Sequence, residues 1–454
     1  MQSGQRIIFH CDCNNFFASC ESIDHPEYKT VPMAVAGDPE ARKGVVVAKN
    51  DLAKKYGVKT TDTVWMARQK CPNILFVPPT PGLYGTVSKR VNAIYYEYTD
   101  LVEPASIDES YLDLTHVPQL SEMNPRQFAD MLRRRIKNEI GITISVGASY
   151  NKTFAKIGSD YKKPDATTVI TPDNFREIVW PLPVGDMMYV GKASADRLNR
   201  VGVMTIGQMA SLEPETLVRL LGKGGETLWR NANGLDDDPV IRVEDRPEIK
   251  SVSRGQTFPR DLTEEDDIRQ GMIPLTDEIS ATLRRHRLKG GTVVLQIKDP
   301  DLNVISRQMK LAHRTNLYSE ITAAATELFR QQWRIGPDHP VRAFTIGVTD
   351  LVPSAEAAEQ LSLFEDSTIT GKSGSGYLKR ENQEKIEDTI DRLRNKFGNS
   401  AFAFGGAVTK TRDEVCRRQN HRDMYADATT PSMPGHRTFI RDMIDNETED
   451  QHGI

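Results

Sequence analysis

The sequence predicts a multidomain protein of mixed α/β and α+β domains. The chain has 454 residues, enough for two to four domains of roughly 100–200 residues each. Short apolar runs typical of strands alternate with segments of helical periodicity between Ile7 and Val352. After Val352 the composition changes to a segment rich in Ser, Gly and acidic residues, followed by a polar tail that we expect to lack a core of its own.

The predicted elements of the first half begin with a buried strand over "RIIFHCD" and a helix over "NFFASCES", with Asn14 or Asn15 as its N-cap. A hairpin of two strands is predicted over "LVEPASIDESYLDLT". The other elements are strands at "PMAVAGD" and "KGVVVAK", a helix at "LYGTVSKRVNAIYYEYTD", and a helix, a strand and a helix between residues 126 and 164.

The second half predicts two short helices across residues 184–212. From Lys250 to Val352 the expected order is strand, long helix, two strands, helix and strand. One further helical segment is expected near residues 379–397.

Composition and charge narrow the class of protein. No apolar run of about 18 residues and no signal-like segment occur, which argues against membrane and secreted proteins and favours the cytoplasm. The five Cys form no disulfide framework, as in a reducing compartment. The net charge of −4 argues mildly against a nucleic-acid partner, but Lys and Arg cluster in "MLRRRIKNE" and between Lys152 and Lys163, so a basic face can coexist with an acidic total.

The stretch "IIFHCDCNNFFASCE" raises the question of a metal site. A structural zinc site needs four N or S ligands, usually in pairs of short spacing. We expect Cys11 and Cys13 to point to opposite faces, and no second Cys/His pair completes a set, so the favoured interpretation is that these Cys are small buried apolar residues. Asp12 is unusual at the end of an apolar strand, where a carboxylate must be paired, metal-bound or solvated.

A second carboxylate pair, Asp108 and Glu109, lies at the turn of the predicted hairpin. Such pairs are commonly solvated turn residues. With Asp12 they would instead form a set able to hold metal ions about 3.5–4 Å apart for phosphoryl transfer on a triphosphate. Acid–base chemistry of the glycosidase type is an alternative, but the aromatic residues expected to stack on a sugar are not evident.

Three motifs carry a resemblance to a known family: "DCNNFFASCE", "SIDESYLD" and "SVGASYNKTFAKIGSDYKKP". In this order and spacing the chain resembles the Y-family of translesion DNA polymerases, and most of all the bacterial polymerase IV branch. The resemblance implies a right-hand polymerase. Its parts would be a palm (1–30 and 81–178), small fingers (31–80), a helical thumb with a helix-hairpin-helix (179–243), an α+β little finger (244–352), and a clamp-binding linker and C-terminal tail with one helix (353–454).

The resemblance also implies the catalytic residues and cofactors. Asp12 and Asp108 match the family's metal-binding aspartates, and Glu109 matches the carboxylate near the primer 3′-OH. Cys13 matches the position that gives a backbone carbonyl to a metal. Two Mg²⁺ ions, or Mn²⁺ in their place, would suit these oxygen ligands. The implied activity is template-directed, low-fidelity DNA synthesis past damaged bases, by nucleotidyl transfer from dNTPs to a primer 3′-OH.

Nucleotide contacts follow from the same resemblance. Phe17 matches the residue whose ring leaves no room for a 2′-OH beneath the incoming sugar, whereas Phe16 is expected in the core. Lys163 matches the lysine that meets the triphosphate, and Lys54 occupies a basic position in the fingers. Taken alone, either lysine would be read as a solvated surface residue.

Two positions depart from the family pattern and resemble the polymerase V catalytic subunit. Asn14 stands where many relatives carry Asp, and Asp51 where many polymerase IV-like members carry a Tyr that donates to the triphosphate. An ionised Asp cannot donate to phosphate, so we expect Asn50 or Lys49 to make that contact.

DNA contacts are predicted in two further segments. Gly191 and Gly202, in "VGKASADRLNRVGVMTIGQM", would let backbone N–H groups approach a phosphate, although an ordinary helical hairpin would show the same spacing. Lys250 and Arg254, in "KSVSRGQTF", could bind template phosphates in a salt-dependent, sequence-independent way.

A clamp contact is predicted in "EQLSLFED", where Gln360, Leu361, Leu363 and Phe364 resemble the peptide with which bacterial polymerases bind the sliding clamp. The alternative is an apolar pair that closes off the preceding domain. The expected partners are primer–template DNA, dNTP and this clamp, for a monomeric protein without a membrane contact.

Two rival functions stay open: a catalytically idle scaffold bound to the clamp or to DNA, and a nucleotide cyclase-like enzyme with a similar palm. Loss of a metal-binding carboxylate would favour the scaffold, but all three are present.

Overall fold

The computed structural model describes residues 5–37, 44–245, 248–357 and 373–398, apart from the side chains of residues 373–379 and 381. The chain divides into two compact units, the first ending at Pro247 and the second beginning at Glu248. The predicted clamp peptide at 360–364 lies outside the described residues. Within the described ranges, no helix is long and apolar enough to cross a membrane.

The first unit contains the predicted strand, helix and hairpin, which are confirmed. Its strands are β1 Ile8–Cys13, β2 Met33–Ala36, β3 Val46–Lys49, β4 Leu75–Val77, β5 Val102–Pro104, β6 Glu109–Asp113, β7 Ile144–Ser149 and β8 Thr167–Val169. Its helices are α1 Phe16–Asp24, α2 Asp51–Lys55, α3 Val64–Lys70, α4 Leu83–Tyr96, α5 Pro125–Glu139, α6 Lys152–Tyr161, α7 Phe175–Ile178, α8 Lys192–Arg200, α9 Ile206–Ala210, α10 Pro214–Leu221 and α11 Gly224–Ala232.

A five-stranded sheet of order β5-β6-β1-β7-β8 forms the centre of this unit, antiparallel except between β7 and β8. Cys11 and Cys13 share one face of β1 and pack in the core that α4 and α5 cover. The expectation that they point to opposite faces is wrong, because alternate residues of a strand lie on the same face. Their burial without disulfide partners confirms the interpretation as apolar packing residues.

Helix α6 covers the other face of the sheet, on the side of Ile8 and His10. It lies very close to β7, because a Cβ atom at Gly147 would be only 1.9 Å from the carbonyl oxygen of Ala155. Any larger residue would push the helix away. Asn151 caps the helix by accepting from the backbone N–H of Phe154 at 2.7 Å.

Two smaller groups of elements complete the first unit. Strands β3-β2-β4 form a three-stranded sheet, packed with α2 and α3 around Val46, Ala53 and Ala67. Helices α7 to α11 share a separate apolar core that includes Leu198 and Ile206. Helices α8 and α9 confirm the two short helices predicted across 184–212.

The second unit has the predicted order of strand, long helix, two strands, helix and strand. Its elements are β9 Ser251–Leu262, α12 Glu265–Arg285, β10 Leu288–Lys298, β11 Val304–Thr315, α13 Tyr318–Gln332, β12 Val341–Pro353 and α14 Ser373–Phe397. The strands form an antiparallel sheet of order β11-β10-β12-β9, and α12 and α13 cover one face of it.

Helix α14 extends the predicted helical segment by about two turns at its start and is joined to the rest of the second unit by ion pairs. Arg284 of α12, with a side chain only 6% exposed, pairs with Glu387 and with Asp391 of α14. Three further ion pairs are Lys289–Glu384 at 2.7 Å, Arg380–Glu320 at 2.8 Å and Arg394–Asp277 at 2.9 Å. Helix α14 is therefore attached to the body of this unit.

Candidate active site

The three predicted carboxylates lie where β1 ends and β6 begins. Asp12 is directly opposite Glu109 in the antiparallel register. The carbonyl oxygen of Asp108 accepts a hydrogen bond from the backbone N–H of Cys13 at 2.9 Å, which ties the end of β1 to the hairpin turn. Two adjoining strand ends therefore carry the whole set.

Two lysines lie against these carboxylates. Lys156 Nζ, from α6, is 2.7 Å from Glu109 Oε1 and 3.3 Å from Asp12 Oδ2. Lys163 Nζ is 2.5 Å from Asp12 Oδ2. Both ammonium groups also pair with Asp160, at 3.1 Å and 2.7 Å respectively. A role was predicted for Lys163 but none for Lys156, although Lys156 lies within the third motif and one turn before Asp160.

A fully buried histidine lies beneath Glu109. His10 Nδ1 and Ser159 Oγ form a hydrogen bond of 2.8 Å, and His10 Nε2 faces Glu109 Oε2 at 3.7 Å. Burial lowers the pKa of His10 and keeps the ring neutral.

Burial and mutual repulsion set the charge of the site. Burial, together with the neighbouring Glu109, raises the pKa of Asp12 to about 7. Burial also opposes ionisation of Glu109, but contacts with His10 and Lys156 outweigh it and lower the pKa of that carboxyl. Burial raises the pKa of Asp108, although its hydrogen bond from Ser106 Oγ acts in the other direction. The site therefore concentrates three carboxyl groups in a buried place, and their negative charge needs nearby positive charge to compensate it.

Comparison with known proteins gives this arrangement a context. Residues 11–160 match the model of the impB/mucB/samB family, and residues 249–363 match the C-terminal domain of the same family. DNA polymerase IV of Acetivibrio thermocellus is 45% identical over 87% of this chain and 95% of its own length. A solved Y-family DNA polymerase chimera superposes with a TM-score of 0.67 at 25% identity, over 76% of this chain and 99% of its own. The chain belongs to the Y-family of DNA polymerases.

A second relative, DNA polymerase IV 1 of Bacillus subtilis, is 34% identical over 94% of this chain and 99% of its own length. These matches extend over nearly the whole of each relative. They confirm the predicted resemblance to the polymerase IV branch of the Y-family.

The carboxylate set of this Y-family chain fits divalent cations by its chemistry. Among the residues that the structure describes, no three acidic, imidazole or thiol side chains converge as a ready metal cluster. Lys156 and Lys163 instead lie next to Asp12 and Glu109 and pair with them. The carboxylates offer only oxygen ligands, and they already attract the two lysine ammonium groups. Such a set suits Mg²⁺ or Mn²⁺ rather than a thiolate-bound metal. Burial raises the pKa of Cys11 to about 12 and keeps that thiol protonated.

The two adjacent phenylalanines have different surroundings. Phe16 is buried, whereas Phe17 is only partly buried. The Phe17 ring packs against Tyr84 with centroids 4.1 Å apart, and the Tyr84 hydroxyl donates to Glu21. The ring of Phe17 is therefore fixed from below while part of it stays accessible, as a residue that contacts a sugar would need.

Asn14 has a structural role that the sequence did not reveal. Its side-chain amide donates to Ser145 Oγ at 2.8 Å, and its Oδ1 accepts from Thr143 Oγ1 at 3.1 Å and from the backbone N–H of Asp165 at 2.8 Å. These bonds hold the loop that carries Lys163. An ionised Asp could not donate to Ser145 in this way, which gives a physical reason for the departure from the family pattern.

The assignment of Asn50 to the triphosphate needs correction. Its amide group donates to the carbonyls of Tyr28 and Val31, and its Oδ1 accepts from the backbone N–H groups of Met33 and Ala53. A phosphate contact would break one of these bonds, so Asn50 acts as the N-cap of α2 and as a tie between loops.

The other residues predicted in the fingers have different surroundings. Lys54 is exposed, as a phosphate-binding role allows. Lys49 Nζ donates to Thr60 Oγ1 at 3.1 Å, and Asp51 accepts from the Asn15 side chain at 3.1 Å. The role of Lys54 stays a prediction.

The predicted DNA contacts separate into two groups. Gly191 is the N-cap of α8, with nothing within 4 Å of its Cβ position, and Lys250 is exposed. Gly202 has φ +83°, but its N–H is already bonded to the carbonyl of Asn199. Arg254 pairs with Glu278 of α12 on the helix-covered face of the sheet. Arg254 is therefore removed as a phosphate contact, and Gly202 shapes its turn rather than offering a free amide.

Proposed function

We propose that this protein is a DNA-directed DNA polymerase that copies a template past damaged bases with low fidelity. It would add deoxynucleotides to a primer 3′-OH. The observation that carries the proposal is the placement of Asp12, Asp108 and Glu109 at the adjoining ends of β1 and β6, in a chain of the Y-family. Nucleotidyl transfer needs such a concentrated carboxylate set, because the substrate brings its own phosphate oxygens and little covalent chemistry is left to the protein.

Asp12, Asp108, Glu109 and the backbone carbonyl of Cys13 would hold two Mg²⁺ or Mn²⁺ ions. When bound, such ions supply positive charge beside the attacking and leaving oxygens. The protein supplies the positions of these ligands through the β1–β6 register, and the buried His10 lies beneath Glu109. No protein general base is assigned.

The two lysines would exchange partners when substrate binds. Lys163 lies in a loop held by Asn14 rather than inside α6, so its ammonium can move from Asp12 to a triphosphate oxygen without disturbing the helix. Lys156 lies within α6 and would keep Asp160 as a partner after substrate binds. Lys54, exposed on α2, would add a second point charge for the phosphates.

Phe17 would exclude ribonucleotides. Its ring is supported by Tyr84 and partly accessible, so a sugar lying on it would have no space for a 2′-OH. This proposal requires the Phe17 ring to be held rigidly, because a ring that could rotate away would not discriminate between ribonucleotides and deoxynucleotides.

The second unit offers a surface for duplex DNA. Along the strands, residues on the sheet face away from α12 and α13 alternate with buried residues such as Val252, Phe258 and Val293. It carries the polar residues Ser251, Thr257, Thr292, Gln296 and Lys298. Polar and basic contacts of this kind bind the backbone without reading sequence, as an enzyme that accepts many templates requires. Lys250 and the Gly191 turn would add contacts.

The decisive experiment is primer extension on a primed template with the purified full chain. Asp108→Ala and Glu109→Ala should abolish extension while primer–template affinity stays within about twofold of the parent, since metal ligands act in chemistry. Asp173→Ala, an exposed carboxylate before α7, is the matched control and should extend normally. Extension at the parental rate in either site variant would disprove the assignment.

The same experiment separates the rivals. An idle scaffold would bind primer–template without extending it, and a cyclase-like enzyme would convert a nucleotide triphosphate to a small product without a primer. For partners, we propose a monomer in the cytoplasm that binds dNTP, primer–template and, through residues 360–364, a sliding clamp.

A further inference from the structure

Residues 234–243, which follow α11, run along the sheet that carries the carboxylate site. Val240 is 4% exposed and packs with Tyr111 on the sheet face that α6 covers. The backbone N–H of Ile241 donates to Glu103 Oε2, in β5, at 2.8 Å. These residues come between α11 and the second unit along the chain, yet they are bound to the central sheet of the first unit.

Asp236, within this segment, binds the first turn of α6. Its Oδ2 accepts from the backbone N–H of Thr153 at 2.9 Å and from Thr153 Oγ1 at 2.8 Å. Its Oδ1 accepts from the backbone N–H of Asp238 at 3.0 Å, which fixes the carboxylate from the other side. Since Asn151 serves the N–H of Phe154, the two side chains satisfy successive donors that have no partner within the helix. The negative charge also suits the N-terminus of a helix.

Two further contacts tie the segment to the start of α6. Gly234 is buried, with φ +72°, and a Cβ atom there would lie only 2.2 Å from the Tyr150 hydroxyl. Lys152, the first residue of α6, donates to Glu103 Oε2 at 2.7 Å and to the carbonyl of Pro239 at 3.2 Å. The beginning of α6 is therefore held by this segment as well as by the sheet.

The start of α6 determines where the Lys156 ammonium lies. Lys156 is the fifth residue of the helix, one turn after Thr153. Its Nζ is 2.7 Å from Glu109 Oε1 and 3.3 Å from Asp12 Oδ2. A first turn whose donors lose their partners frays, and the ammonium would then be held less firmly between these oxygens. A divalent cation is attracted to the same oxygens, so the ammonium competes with it.

We propose that Asp236 is a positioning residue for the carboxylate site. It holds the first turn of α6, which keeps the Lys156 ammonium against Glu109 and Asp12, and it thereby limits how tightly these carboxylates bind a divalent cation. Asp236 acts through the helix and not on the cation itself. The inference rests on the proposed metal-binding role of the carboxylates.

The test measures Mn²⁺ affinity of the full chain without DNA or nucleotide, from the electron paramagnetic resonance signal of the free ion. Asp236→Ala loses both bonds to Thr153 and should bind Mn²⁺ about threefold more tightly, near the low end of couplings between neighbouring residues. Asp236→Asn keeps an oxygen that can accept from Thr153 and should stay close to the parent. Asp237→Ala is the matched control, because the Asp237 side chain is 86% exposed, and it should leave the affinity unchanged.

The decisive comparison repeats Asp236→Ala in a Lys156→Met background. With no ammonium left to position, the substitution should no longer change Mn²⁺ affinity. Thermal melting checks the fold, and Asp236→Ala should melt about 2–4 °C lower than the parent because a helix loses a terminal partner. If Asp236→Ala does not fold, Thr153→Val takes its place, since it loses one of the two bonds and should bind Mn²⁺ about twofold more tightly.

Unchanged affinity in Asp236→Ala, an equal shift in Asp237→Ala, or a shift that persists in the Lys156→Met background would overturn the inference. Each of these results would leave the polymerase assignment intact, which primer extension by the parent tests separately. A parent protein that bound no Mn²⁺ would overturn the proposed metal site and this inference together.

Discussion

Lys156→Met replaces the cation between Asp12 and Glu109 by an apolar chain of similar length. The Lys156 side chain is 19% exposed and that of Asp12 is 7% exposed, so the pair is largely buried. Removing one partner of a buried pair costs about 3–5 kcal/mol. Two features reduce this cost: Lys163 still pairs with Asp12, and Asp12, with its pKa raised to about 7, can take up a proton. We expect a loss of about 2 kcal/mol.

For a unit of this size, that loss lowers the melting temperature by about 4–8 °C. Thermal melting should show it in EDTA, and saturating Mg²⁺ should narrow the difference because a divalent cation supplies the missing charge. Lys162→Met is the control, since Lys162 is exposed and lies over the Tyr161 ring without a partner among the three site carboxylates. Equal melting of Lys156→Met and the parent in EDTA, or a difference that Mg²⁺ leaves unchanged, would refute the reasoning.

Three further outcomes are expected. Phe17→Ala should insert ribonucleotides at least about tenfold more readily, in single-nucleotide extension assays; unchanged discrimination would place Phe17 in the core. Because the pKa of Asp12 is raised to about 7, the protein in EDTA should gain stability as the pH falls from 8 to 5. Its affinity for Mn²⁺ should fall about tenfold per pH unit below 7, because the proton competes with the metal. Stability and Mn²⁺ affinity that did not depend on pH would contradict both expectations. Changing Leu363 and Phe364 to Ala should remove stimulation by the sliding clamp but leave distributive extension on short templates intact, and stimulation that persisted would place the clamp contact elsewhere.

The sequence predicted the order of elements well, because apolar periodicity reports burial directly. The strand at β1 and the hairpin that carries Asp108 follow from runs of apolar residues and a turn. The pairing of Asp12 with Glu109 also follows, once β1 and β6 are neighbours in one sheet. What these signals determine is the position of a residue along an element and the face on which it lies.

Side-chain partners were less predictable. Asn50 and Arg254 were expected to bind phosphate because their residue types can, yet each makes local bonds that use its donors. No contact with the carboxylates was predicted for Lys156, because a lysine in a helix is usually solvated. Its approach to Glu109 depends on the close contact of α6 with β7 at Gly147, which comes from packing of distant segments.

The return of α14 limits how far the proposed clamp peptide can reach. Residues 358–372 connect Ala357, just after β12, to Ser373, the first residue of a helix joined to α12 by buried ion pairs. With both ends attached, Phe364 lies at most about 25 Å from Ala357, since seven residues span no more than about 3.6 Å each. A clamp bound at this peptide would therefore stay within a short distance of the second unit. Cutting the chain after Pro353 would lose this tether and uncover Arg284 as well, so point substitutions in the peptide are the cleaner test.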